Sequence, residues 1–406
     1  MPYTEEGYYK YLLPRFSTGN VDNVEIQITS KLLNGNLTTI KPLVQLHTEV
    51  ILEREIGRPR EWKRLHAQDL TDSVIKYITS RIVFGDALAG NEPFLHALER
   101  YVSMVIPLSL ALRFVSLGPL KHAFMWLIHW ANRRDLATAT RYVVELINER
   151  RRTQASKKLS EDEKPVDAIQ WAMEQDIAEH LKKPEVIAHR ILHQCSAIMQ
   201  TPAVAMGHLL YDVASHPGCL DELREEITSC LAEDGGSGWT QNAMARMKKL
   251  DSFVQECFRM NSMVTPLTGW RVVTSDTFRF DDGLILPRGT LLTFPTIHVQ
   301  NDPDIHPNPT KFDFLRFYRL KEEDRRAGVP SFNRDLKTEW LSFGYGRQAC
   351  PGRFFAVRLL KTIVGELILR YDIRYAGGNR ARPAVLDVEP ITVPDRTVEL
   401  EFRARV

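Results

Sequence analysis

Cys350 is the residue whose surroundings most suggest chemistry. It follows a glycine-bearing loop, Phe343 to Gly352 (FGYGRQACPG), and precedes a run of helix formers, Arg353 to Arg370. Pro351 is at home in a first helical turn. A helix N-terminus favours an anion, so a thiol there is expected to have a lowered pKa, with loop amides pointing at its sulfur. Such a thiolate suits a soft or borderline metal. A buried cysteine at a turn is the alternative for the same residues. Glu256 and Arg259 lie three apart on a helical pattern, which places both on one face within pairing distance. His189 and His193 share the i, i+4 spacing of zinc helices. Arg190, however, stands where a zinc protease carries Glu, and no third ligand is evident, so a satisfied helix histidine is expected. Met199 and Met206 are expected to fill a pocket or the core.

These residues need elements to hold them. Apolar residues recur at three- and four-residue spacing over Asp72–Phe84, Phe94–Leu112, Arg134–Arg152, Pro184–Ser215 and Lys249–Met260, which predicts helices. The charged stretch Glu149 to Pro165 is expected to be a solvated helix end and loop. After Pro266 the texture changes. Arg271–Phe280 and Leu284–Phe294 carry β-branched and aromatic residues around turn signals, and the last thirty residues suggest short strands between proline turns. The expected fold class is mainly α with a minor β part, built as a single domain over residues 1–406.

Composition narrows the function. At 44% hydrophobic and 26% charged, the chain is ordinary for a globular protein with a large core. A net charge of +2 gives no global electrostatic case for nucleic acid. The five cysteines form no C-x-x-C pair and are odd in number, so reduced thiols in a cytosol-facing compartment are expected, not a disulfide scaffold. The first twenty residues lack the apolar core of a signal peptide. The best candidate span, Val102 to Leu120, contains Pro107, Arg113 and Pro119, so a buried or membrane-surface helix pair is expected there.

Phe343 to Gly352 resembles the heme-ligand loop of the cytochrome P-450 family, the heme-thiolate monooxygenases. The family pattern Phe-x-x-Gly-x-x-x-Cys-x-Gly is met at Phe343, Gly346, Cys350 and Gly352. Glu256 and Arg259 match the family's Glu-x-x-Arg, and Arg316 in FDFLRF matches the arginine that locks to it, although Phe314 and Leu315 replace the usual Pro-Glu. Thr265-Pro266-Leu267 with Arg271, and Ile297-His298 with Asn301-Asp302-Pro303, resemble the segments between. The details, Leu209 to Pro217 in particular, resemble fungal secondary-metabolism members.

The resemblance implies the cytochrome P-450 fold, with a long central helix over heme b. Cys350 would ligate the iron, Phe343 would shield the sulfur, and Gly346 and Gly352 would shape the loop. Arg271 would pair a propionate, with Arg347 beside Gln348 as a second cation. Pro184–Ser215 corresponds to the family helix that handles dioxygen. There Met199 replaces the usual acid, Gln200 stands at the threonine position, and Thr201 follows one position late. Pro202 removes a donor and crowds the carbonyl of Ile198, so a kink is expected. Gln200 and Thr201 are the candidate catalytic residues, as a proton relay through a water at that carbonyl. Rearrangement or dehydration without full oxygen activation, and tolerated packing variation, are the alternatives. The implied partners are an NADPH-dependent flavin reductase docking on Arg347, Arg353, Arg358 and Lys361, and an apolar terpenoid or polyketide substrate. Pro107–Trp130 matches a family region that touches membrane, and the chain is expected to be a monomer. An N-terminally shortened member, without the anchor helix, is expected at the cytosolic face of the endoplasmic reticulum. No C-helix Trp-x-x-x-Arg for a second propionate is found. The competing function is a degenerate heme-binding scaffold without turnover, or a heme-thiolate isomerase or dehydratase.

Overall fold

The computed structural model describes Leu33 and residues 35–114, 121–157, 160, 163–175, 179–236, 238–262, 271–273, 275–292, 295–326, 340–345, 349–378, 381–388 and 391–405, with backbone alone at 106–114, 121–129, 131, 271–272, 291, 324–326, 387–388 and 391. In chain order the first elements are α1 (Leu37–Glu55), β1 (Lys63–His66), α2 (Ala67–Ala89), α3 (Glu92–Phe114), α4 (Lys121–Ser156), α5 (Ala168–Met173) and α6 (Pro184–Cys195). A π-helical segment, Ser196–Gln200, joins α6 to α7 (Thr201–Ser215). Then come α8 (Leu220–Glu233), α9 (Gln241–Arg246), α10 (Lys248–Met260), β2 (Arg271–Val272), β3 (Thr277–Arg279), β4 (Ile285–Pro287), β5 (Leu291–Leu292), α11 (Thr296–Gln300) and α12 (Arg316–Arg326). The chain closes with α13 (Arg353–Arg370), β6 (Tyr371–Tyr375), β7 (Val385–Val388), β8 (Ile391–Pro394) and β9 (Glu399–Ala404).

The described residues fall into two compact units. One takes the described residues of 73–202 with Leu33 and residues 35–47. Its core joins Phe84, Phe94, Tyr101, Val143, Ile147 and Leu192, with Cys195 at the end of α6 and Met199 in the π-helical segment after it. Each such aliphatic or aromatic side chain contributes about 1.5–3 kcal/mol by leaving water. Within α2 the backbone leaves helical geometry at Gly85, whose φ is +64°. A side chain there would also run into the Asp167 carboxylate, so the buried Arg150–Asp167 pair requires glycine twice over. Asp167 also caps α5, accepting from the Gln170 amide at 2.9 Å.

The other unit takes Thr48–Asp72 with Ala203–Val406. Two helices organise it in opposite ways. In α10 the buried face is a stripe of Leu250, Phe253, Val254, Cys257 and Phe258 beside Glu256 and Arg259. In α13 every residue from Leu359 to Ile368 is buried, so it packs on all sides. A three-stranded antiparallel sheet, in the order β1-β9-β6, pairs Arg64 with Glu401 and Glu401 with Arg374. Leu400, Phe402 and Ile373 face the core from this sheet. The expected strand Arg271–Phe280 is broken in two, because Ser275 and Asp276 bend the chain and the Ser275 hydroxyl donates to the Thr277 carbonyl at 2.8 Å. Likewise Pro287 to Gly289 turns between β4 and β5, with Gly289 at φ +88°.

The long helix expected over Pro184–Ser215 is present, but its irregularity takes a definite form. Pro202 offers no amide, and the chain accommodates this with five π-helical residues immediately before α7.

Candidate active site

Cys350 lies at the start of α13, capped by Gly352. Its amide donates to the Phe343 carbonyl at 2.7 Å, which closes the loop. Gly344, at φ +74°, makes the turn inside it. Phe343 is half-buried and edge-on to Phe258 at 5.8 Å and Trp340 at 5.7 Å. Burial pushes the Cys350 thiol up, and the amides of Gly352 and Arg353, with the Arg353 charge, act against this. The lowered pKa expected from the helix start is therefore corrected: the donors are in place, but desolvation outweighs them.

Beneath the loop lies a buried ion cluster. Arg259 engages Glu256 through two nitrogens, at 2.8 and 2.9 Å, and neither side chain is exposed to solvent. Arg316 reaches the same carboxylate at 3.1 Å. Two cations on one anion would leave a buried positive charge. The excess is met by carbonyls: Arg259 donates to those of Gln300 (2.7 Å) and Pro309 (2.8 Å), and Arg316 to those of Pro307 (2.6 Å) and Lys311 (3.1 Å). The cluster thereby fixes residues 300–311.

Gln300, which the sequence patterns did not single out, connects cluster to loop. Its amide donates to the Arg259 carbonyl at 3.1 Å. Its Oε1 accepts from the Leu341 amide at 3.1 Å and the Ser342 hydroxyl at 3.0 Å. Its one sequence signal is a polar residue closing the alternating stretch Thr296–Gln300, and that pattern says nothing of a partner 41 residues on.

The candidate catalytic residues lie in the other unit. The Gln200 side-chain amide donates to the Val102 carbonyl of α3 at 2.7 Å, while its Oε1 is buried without a partner. The Thr201 hydroxyl donates to the Ala197 carbonyl at 2.7 Å, and its residue is exposed. Both donors thus already have backbone acceptors. Arg271 pairs in β2 with Leu292 of β5. Gly346, Arg347, Gln348 and Thr265–Leu267 lie outside the described residues, as do most side chains of Pro107–Trp130. Lys361 does not belong to an exposed basic face: it is buried, its Nζ bonded to the carbonyls of Met244 (2.5 Å) and Met247 (3.0 Å) and to Asp251 (2.7 Å). His193 is half-buried, and desolvation pushes its pKa down to about 4.

The surroundings of Cys350 fit a metal that brings most of its own ligands. The Gly352 and Arg353 amides favour negative charge on its sulfur, and among the described residues no group of three histidines, cysteines or carboxylates could cage a bare ion. The cytochrome P-450 family model matches residues 28–401. The aspergilol synthase of Aspergillus ustus is 54% identical over 96% of this chain and 72% of that protein. A cytochrome P-450 monooxygenase of Aspergillus terreus, sttB, is 42% identical over 98% of this chain and 74% of its own length. The retinoic acid-bound cyanobacterial CYP120A1 shares the fold, with a TM-score of 0.69 at 19% identity, over 96% of this chain and 80% of that one. The chain belongs to the cytochrome P-450 family, and resembles its fungal secondary-metabolism members. It is an oxidoreductase, a monooxygenase whose cofactor is heme b.

Proposed function

We propose that the chain, acting as one domain, hydroxylates or otherwise oxidises an apolar natural product of terpenoid or polyketide type, with electrons from an NADPH-dependent flavin reductase. The observation that carries this is the Cys350 loop, closed by the Cys350 amide on the Phe343 carbonyl at the start of α13, with the Gly352 and Arg353 amides favouring a thiolate. Heme b, held through Cys350, supplies the activation of dioxygen and the insertion of one oxygen atom into a substrate C–H bond. The protein's share is positional. The Gly352 and Arg353 amides stabilise negative charge on the sulfur, and Phe343 keeps water from it. Arg271 is the candidate for a propionate, with Gly346 and Arg347 completing the loop. Gln200 and Thr201 are the candidates for proton handling: the unpartnered Gln200 Oε1 can accept from a water, and the Thr201 hydroxyl can exchange its carbonyl for one.

Substrate class rests on likeness to the aspergilol synthase and sttB. Reductase docking is supported by a hollow of about 300 Å³ beside the loop, lined in part by Arg353, Arg358 and Lys321, with Phe354 exposed at its rim. Location at the endoplasmic reticulum surface follows from family likeness; among the described residues no helix is long and apolar enough to cross a membrane.

The test starts with the carbon monoxide spectrum of the reduced protein beside Cys350→Ser. A strongly red-shifted Soret band, lost in the variant, is expected. Reconstitution with reductase under ¹⁸O₂ follows, and one labelled oxygen in the product is expected. A product isomeric with its substrate would replace oxidation by rearrangement. A normal spectrum with no product from any apolar candidate would leave a heme-binding scaffold.

A further inference from the structure

Away from the cysteine loop, the end of the three-stranded sheet where β6 begins and β9 finishes carries a groove of about 1160 Å³. Its walls are the end of α1, residues 57–60, and strands β6 and β9, all within one unit. The groove is built rigidly. Gly57, at φ +74°, turns the chain out of α1, and its amide donates to the Leu52 carbonyl at 3.1 Å. The Tyr371 hydroxyl donates to the Gly57 carbonyl at 2.9 Å, and the Ala404 amide to that of Pro59 at 2.8 Å.

Five arginines line the groove, Arg58, Arg60, Arg370, Arg403 and Arg405, against two carboxylates, Glu53 and Asp372. Their pairing decides where charge is left over. Arg370 is held by Glu366 at 2.6 Å and Glu49 at 3.6 Å, and Arg58 by Glu53 at 3.2 Å. Arg403 and Arg405 share the single carboxylate of Asp372, at 3.1 and 2.7 Å, and Arg224 approaches it from behind at 3.4 Å. Burial alone would raise the Asp372 pKa, yet these arginines hold it below the ordinary value. Arg60 has no ionic or hydrogen-bonding partner among the described residues. The excess is therefore at least two positive charges, on Arg60, Arg403 and Arg405. Trp62 fixes one of them, with the Arg403 guanidinium 4.7 Å from its ring centre and Arg374 at 3.9 Å.

We propose that this groove binds a phosphate-bearing polyanion. Guanidinium forks match phosphate oxygens bidentately, and a dianion or more is needed to balance the excess. A concave, tied-down site binds without the cost of ordering its walls. Either a soluble diphosphate or the phosphorylated headgroup of a lipid carries this chemistry.

The heme-loaded full chain is titrated calorimetrically with inorganic pyrophosphate. It is also sedimented with phosphatidylcholine vesicles, with and without phosphatidylinositol 4-phosphate. Arg60→Glu, which breaks no described contact, is compared with Arg288→Glu, an exposed arginine on another turn. Binding of either probe, weakened at least about fivefold by Arg60→Glu and unchanged by Arg288→Glu, is expected. Pyrophosphate binding alone identifies a soluble ligand, and vesicle binding alone identifies the headgroup. Absence of binding to both, or equal weakening in both variants, overturns the site. Unchanged thermal midpoints and Soret spectra keep the comparison between folded proteins.

Discussion

The sulfur of Cys350 is subject to opposing influences: burial against two amides and a guanidinium. Gln200 and Thr201 are each engaged with a carbonyl, but the consequences of losing them differ. Gln200→Leu removes the side-chain bond to the Val102 carbonyl and is expected to cost about 1–2 kcal/mol in urea unfolding. Thr201→Val removes an exposed hydroxyl and should change stability by no more than about 0.5 kcal/mol. If Thr201 handles protons, that variant releases several-fold more peroxide per NADPH consumed; an unchanged peroxide yield would exclude it from the relay. Cys350 was legible from sequence because its loop, proline and helix start are contiguous. The Gln200 partner was not, since Val102 lies 98 residues earlier and nothing local points to it.

Among elements, α10, α11 and the cysteine loop stand or fall together. Glu256→Gln would leave Arg259 and Arg316 buried without a counter-charge, a loss of about 3–5 kcal/mol, measured as a lower unfolding midpoint and lower heme content. Gln300→Leu should cost less, about 1–3 kcal/mol, but should loosen the loop directly. Heme loss on mild warming before any loss of helical circular dichroism is the expected sign. The Glu256–Arg259–Arg316 set could be inferred from sequence because its residues fall in short recognisable patterns. The burial of Lys361 could not: α13 is covered on every side, so no apolar stripe separates its inner from its outer residues. Pro202 announced an irregular helix, but whether the backbone would kink or widen into a π segment depends on tertiary packing.

For the whole molecule, acid stability is set in part by desolvated imidazoles. His193 has its pKa pushed down to about 4, and His208 to about 3 by burial and the adjacent Arg382 charge, from an ordinary 6.5. Between these values and 6.5 the unfolded chain takes up protons that the folded chain refuses, so stability falls as pH falls through that window. For His193 the full loss is on the order of 3 kcal/mol. Urea midpoints at pH 7.5 and pH 5 should therefore differ less in His193→Gln than in the parent protein. Gln300 carries a consequence for biogenesis. During synthesis α10 leaves the ribosome first, α11 next and the cysteine loop after both. Leu341 and Ser342 find their acceptor only once Gln300 is seated on Arg259. Cofactor capture is then a late step, and a cell short of heme accumulates chains with a finished ion cluster and a waiting loop. Such chains should take up added heme in one rapid phase, with no slow refolding phase in stopped-flow absorbance.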